Sequence, residues 1–126
     1  MKNPNDGFFK GRLRSVKFAL KGMWLLLITE DSIKVQSSIA LLVTLMGFYF
    51  SISITEWMIQ FLVIGLVLVA EALNTAIEKV ADFIHPDYHE KIGFIKDIAA
   101  GAPAFAAFFS LIIAGIIYVP KIIVIF

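Results

Sequence analysis

Between Trp57 and Ala70 the chain carries no charged side chain, and this run then passes without a break signal into Glu71, Asn74, Glu78 and Asp82. In a bilayer only a helix lets a single segment satisfy its own backbone polar groups, so the run predicts a membrane-spanning helix that ends in acids. At 3.6 residues per turn, Glu71, Glu78 and Asp82 fall within about 40° of one another around the axis, flanked by Asn74 and Thr75. A stripe of carboxylates on such a helix has to face protein, water, a cation or a polar substrate. The fold is therefore an assembly of helices that turns this stripe away from lipid, and the stripe is the leading candidate for a site of chemistry.

Composition agrees with that class. Of 126 residues, 60% are hydrophobic and 17% charged, with a mean hydropathy of +0.88; a soluble domain has roughly 45–50% and 25%. At 14.0 kDa the chain has room for one membrane-embedded unit, residues 1–126, and for no separate soluble domain. The absence of cysteine excludes disulfides, thiolate catalysis and a cysteine metal site. With a net charge of +1 no nucleic-acid partner is expected. The first apolar segment follows a long charged stretch and lacks the form of a cleaved signal peptide.

Three spans are predicted, at about 33–50, 56–83 and 94–119. The second, at about 1.5 Å per residue, is near 42 Å long, so its acidic end reaches the headgroup zone. Ser51 to Glu56 reads as a tight turn in which Ser53 or Thr55 caps the next helix. Pro120 is expected to mark the fraying end of the third span. Basic residues gather before the first span (Lys2, Lys10, Arg12, Arg14, Lys17, Lys21, Lys34) and around the second loop (Lys79, Lys91, Lys96), while the first loop has none. The positive-inside rule puts the N terminus and the acidic loop in the cytoplasm and the C terminus outside.

Residues 8–29 alternate basic positions (10, 14, 17, 21) with Leu13, Val16, Leu20, Trp24 and Leu27 at spacings of three and four. This reads as an amphipathic helix lying on the inner leaflet, its basic face meeting anionic phospholipid and, in the sharper reading, phosphate of a substrate. Glu30 and Asp31 come where the chain turns into the bilayer and are expected at the depth of the acidic stripe.

Glu78 with a second carboxylate, Glu30 by depth, would suit Mg²⁺, which takes carboxylates together with substrate phosphates. Lys96-Asp97, just inside the third span, add a lysine and an acid of the kind that holds a polyphosphate during phosphoryl transfer. No Walker loop or kinase Gly-rich loop is present. His85 and His89 straddle Pro86, which argues against a zinc pair. In the plainer readings Glu56 is a solvated loop acid, Lys79 snorkels or pairs with an acid one turn away, Asp82 pairs with Lys79 or a basic residue of the arm, and Asn74 is helix–helix glue. A cation transporter or a structural membrane module remains the rival class. The polar groups crowd one face, and the helix breaks and repeats of transporters are absent.

Glu71-Ala-Leu-Asn74-Thr-Ala-Ile-Glu78, followed by Asp82, Tyr88-His89 and Lys96-Asp97-Ile-Ala-Ala-Gly101-Ala, closely resembles the bacterial diacylglycerol kinase family, which includes the undecaprenol kinases. The resemblance runs over nearly the whole chain, including Ala19, Gly22 and Glu30. It implies an all-helical homotrimer of three-span subunits, each with a surface helix, sharing active sites between neighbours in the bacterial cytoplasmic membrane. It also implies Mg-ATP-dependent phosphorylation of a lipid alcohol. Carried residue by residue, it makes Glu71 the catalytic base and Asn74 its orienting neighbour. It makes Glu30 and Glu78 the Mg²⁺ carboxylates, Lys96 and Asp97 the nucleotide-binding pair, and His89, Lys10 and Arg12 further ATP contacts. Two positions depart from the family pattern: Pro103 stands where an aliphatic residue is common, predicting a local kink, and Gln36 stands where many members have histidine. The lipid expected is diacylglycerol, with undecaprenol the alternative suggested by Ala99-Ala100-Gly101-Ala102 and Val119-Pro120-Lys121.

Overall fold

The computed structural model describes residues 3–126 as four helices: α1 (Phe8–Thr29), α2 (Asp31–Tyr49), α3 (Ile54–Ile84) and α4 (Glu90–Ile125). Lys2, part of the basic N-terminal count, lies outside the described residues. The last three helices are long and apolar enough to cross a membrane, and the chain is a membrane protein.

One residue joins the arm to the first span. Glu30 is extended (φ −103°, ψ 115°), and it both closes α1, donating its backbone N–H to the Leu26 carbonyl, and opens α2. The α2–α3 turn closes tightly. Ser51 sits in the left-handed region (φ 50°), with its N–H on the Phe48 carbonyl and the Ile52 N–H on the Gly47 carbonyl. This is the paired hydrogen bonding of a Schellman stop, achieved without glycine at the left-handed position. Ser53 then caps α3 by accepting from the Glu56 N–H (3.1 Å), while Glu56 reaches back to the Ser53 N–H (3.0 Å). Glu56 is thus a capping acid, and it also accepts from Lys121 (2.6 Å) at the far end of α4, where a solvated loop acid was expected.

α3 and α4 form a long antiparallel hairpin whose register is set at four levels. Asp82 meets Lys96 at one end, Ala70 packs with Ala106 in the middle, Gln60 meets Tyr118 further on, and Glu56 meets Lys121 at the other end. The small side chains at positions 70 and 106 permit close approach of the two helices. α2 joins through its Val43 carbonyl, which accepts from both Gln60 (3.2 Å) and the Tyr118 hydroxyl (3.0 Å). Gly47 lets Trp57 lie against α2: a Cβ there would come within 2.6 Å of the indole. That indole is flanked by Phe48 (4.9 Å) and Phe61 (5.4 Å).

α4 runs on through Pro103 and Pro120 to Ile125, about one and a half turns past the expected fraying point. Pro120 leaves the Ile116 carbonyl without its helical donor, yet the helix continues, and the neighbouring Ile117 carbonyl accepts from the Lys121 ammonium (3.0 Å). Pro103 is buried and does not end the helix. The helices begin two to four residues before the expected spans; α2 ends one residue inside its expected limit, while α3 and α4 end one and six residues beyond theirs.

Candidate functional site

α3 carries the stripe to the end of the hairpin where its C terminus meets the start of α4. Asn74 donates to Glu78 (3.3 Å) along the helix, and its own side-chain oxygen is buried with no partner among the described residues. An unpaired buried acceptor beside a carboxylate is costly unless a ligand or water supplies a donor. Glu71 is half-buried, one turn before Asn74, and has no ion-pair partner among the described residues.

Two ion pairs close the site from neighbouring elements. Lys79 binds Glu30 (3.0 Å), so the α1–α2 joint lies against α3 at the height of Glu78. Thr29 also donates to the same Glu30 oxygen (3.1 Å). The hydrogen bond from Lys79, with help from Thr29, holds the Glu30 carboxyl below the usual range, so it stays ionised to lower pH than a free glutamate. Lys96, at the start of α4, pairs with Asp82. The plainer readings of Lys79 and Asp82 are corrected here: neither pairs with the other or with a neighbour one turn away, because each finds an opposite charge on another element.

His89 caps α4, accepting the Lys91 N–H on Nδ1 (3.1 Å), and Asp97 is exposed. Lys10 and Arg12 lie elsewhere. Lys10 is near Asp6 (3.9 Å), Arg12 sits over the Phe8 ring (5.5 Å), and Arg14 is held by Asp6 (2.9 Å). Lys10 and Arg12 are about 27–30 Å of helix from Glu30, too far to join that site in the same chain while α1 is straight. Lys79 and the Asp82–Lys96 pair were missed as site features in the sequence because their partners are remote in the chain; matched membrane depth was the one available signal.

Further along the hairpin from the stripe, an apolar cleft of about 290 Å³ opens between α2, α3 and α4, lined by aliphatic residues with Gln36, Gln60 and Ser110. Val67 and Leu68 line it within about a turn of Glu71. Among the described residues no three acids or histidines converge as a ready-made metal site.

Comparison with known proteins decides what this arrangement belongs to. The family model for prokaryotic diacylglycerol kinase matches residues 17–118. The chain belongs to that family. It is 39% identical to the undecaprenol kinase of Bacillus subtilis over 121 residues, 96% of this chain and 95% of that protein. It is 28% identical to the diacylglycerol kinase of Escherichia coli K12 over 102 residues, 81% and 83% of the two chains. A diacylglycerol kinase of Synechocystis matches at 41%, but over only 45% of this chain and 33% of its own length. As a prokaryotic diacylglycerol kinase family member the chain is a membrane lipid kinase, and the match contains every stripe residue.

Proposed function

We propose that this chain transfers the γ-phosphoryl group of ATP to the primary hydroxyl of a membrane lipid at the cytoplasmic face of the bacterial cell membrane. The observation that carries this reading is the half-buried Glu71, without a counter-ion among the described residues, sharing a helix face with Asn74 and Glu78 and lying one turn from an apolar cleft. A hydroxyl on an aliphatic tail in that cleft is brought to the acid of the stripe that has neither an ion pair nor a side-chain hydrogen bond among the described residues.

In the step itself the lipid oxygen attacks the γ-phosphorus, its proton passes to the Glu71 carboxylate, the bond to the β-phosphate oxygen breaks, and ADP leaves. General-base assistance of this kind contributes typically about 10²–10⁴-fold. Asn74 orients Glu78, and its free side-chain oxygen is an acceptor for the arriving ligands. Lys96, released from Asp82, is the cation for the polyphosphate; Asp97, His89, Lys10 and Arg12 are the further nucleotide contacts proposed, the last two reaching the site from a neighbouring subunit.

The donor set fits Mg²⁺. Two carboxylates, Glu78 and Glu30, come from elements packed together, with room in the shell for phosphate and water, the usual pattern for this ion. When bound, Mg²⁺ would neutralise charge on the β- and γ-phosphates. The assembly proposed is a homotrimer, with α1 on the inner leaflet against anionic phospholipid, the N terminus in the cytoplasm and the C terminus outside.

Both lipids, diacylglycerol and undecaprenol, present a primary hydroxyl on an apolar tail. The end-to-end likeness to an undecaprenol kinase favours the polyprenol. A paired assay of the purified protein with Mg-ATP and each lipid in the same bilayer tests this. Higher catalytic efficiency on undecaprenol is expected; a preference for diacylglycerol would reverse the assignment, and phosphorylation of neither would overturn the lipid kinase reading.

A further inference from the structure

Lys79 belongs to none of the roles so far assigned, yet it contacts the site. Its ammonium lies 3.0 Å from Glu30 Oε1, the oxygen on which Thr29 also donates from 3.1 Å. The two partners are unequally held. The Glu30 side chain is 20% exposed, whereas that of Lys79 is 68% exposed and free to swing into water. Lys79 also follows Glu78 directly, so the ammonium and the second proposed metal carboxylate are borne by adjacent residues.

We propose that Lys79 is a tethered counter-ion that occupies Glu30 until a divalent cation displaces it, and so sets how tightly the empty enzyme binds that cation. The inference rests on the reading of Glu30 and Glu78 as the Mg²⁺ carboxylates. Its physical basis is direct competition: an ammonium and a divalent cation cannot both take one carboxylate oxygen at close range, and like charges in adjoining positions repel.

The surrounding charges do not cancel this. Asp31, exposed, is engaged by Lys34 (3.3 Å), and Asp82 by Lys96. Lys79 is therefore the cation that faces Glu30, and the charge of Glu30 is spent on it. The consequence is ordered loading. Nucleotide phosphates, adding negative charge beside Glu78, would tip the competition toward the metal and leave the lysine free. The enzyme would thus take its ion with ATP rather than hold it beforehand. A purely structural role would differ, because Glu30 is the extended joint between α1 and α2. Were Lys79 only a pin for that joint, its loss would let Glu30 drift from α3, and binding would weaken.

Mn²⁺ serves as a probe of the Mg²⁺ site, its binding to the purified protein in lipid nanodiscs followed by electron paramagnetic resonance without nucleotide. Four variants, Lys79→Gln, Lys79→Arg, Glu30→Gln and Glu78→Gln, are compared with the parent chain, and a spin label in α1 reports whether the arm stays in place. Lys79→Gln should bind Mn²⁺ about tenfold more tightly. Lys79→Arg, which keeps the charge, should stay near the parent. Unchanged or weaker binding in Lys79→Gln, with the Glu30 and Glu78 variants weakened, overturns the counter-ion role and leaves the metal assignment standing. Binding indifferent to both Glu30→Gln and Glu78→Gln overturns the metal assignment and the inference with it.

Discussion

At the scale of single residues, the candidate site works through differences in how its acids are partnered. Glu71 is free, Glu78 is braced by Asn74, Glu30 is held by Lys79 and Thr29, and Asp82 is taken by Lys96. A free, half-shielded carboxylate suits proton acceptance, and acids in polar contact suit ions. Glu78→Gln and Glu30→Gln should therefore raise the magnesium concentration needed for half-maximal turnover, with assembly retained on a sizing column. A magnesium titration that superimposes on the parent curve would make both acids structural. The identities of these residues were legible in the sequence because charge in an apolar helix is conspicuous. Their partners were not, since Lys79 to Glu30 and Lys96 to Asp82 are contacts between elements, and only folding decides which of several nearby opposite charges is met.

Among the elements, α3 and α4 form the frame, and the features that fix their ends are local. The sequence offered Ser53 or Thr55 as the cap of α3, and Ser53 takes the role by accepting from the Glu56 N–H. The continuation of α4 beyond Pro120 was not legible, because a proline signals a helix stop, yet it removes only the one N–H owed to the Ile116 carbonyl and the helix runs on to Ile125. The Schellman stop after α2 places Ser51 at a left-handed position that costs an L-residue roughly 1–2 kcal/mol. Ser51→Gly should accordingly stabilise the protein by about 1 kcal/mol in reversible unfolding from mixed micelles. Since the turn lies at the end of the hairpin remote from Glu71, kinase activity should not change. Destabilisation would mean that the serine side chain makes a contact the backbone account omits.

At the scale of the whole molecule, a single chain buries little of its apolar surface. Among the described residues no large side chain is fully buried, and apolar residues such as Leu62, Phe105 and Leu111 are more than half exposed. Lipid can cover these, but not the polar stripe, and Lys10 and Arg12 cannot reach the stripe of their own chain. Self-association answers both needs, so mass measurement in nanodiscs should find three copies; a monomer with full activity would end the shared-site proposal. The span count and the membrane class were visible in hydropathy alone, whereas the number of copies is a property of surfaces that a single chain presents but does not pair. The central claim is that Glu71 takes the proton from a lipid hydroxyl during phosphoryl transfer from ATP. Its most direct test is transfer of labelled γ-phosphate to undecaprenol, and to diacylglycerol, in one bilayer, by the parent protein and by Glu71→Gln at saturating Mg-ATP. The account predicts labelled lipid phosphate with the parent protein and a rate lower by about 10²–10⁴-fold in the variant, its assembly intact. Near-parental turnover by Glu71→Gln would contradict it.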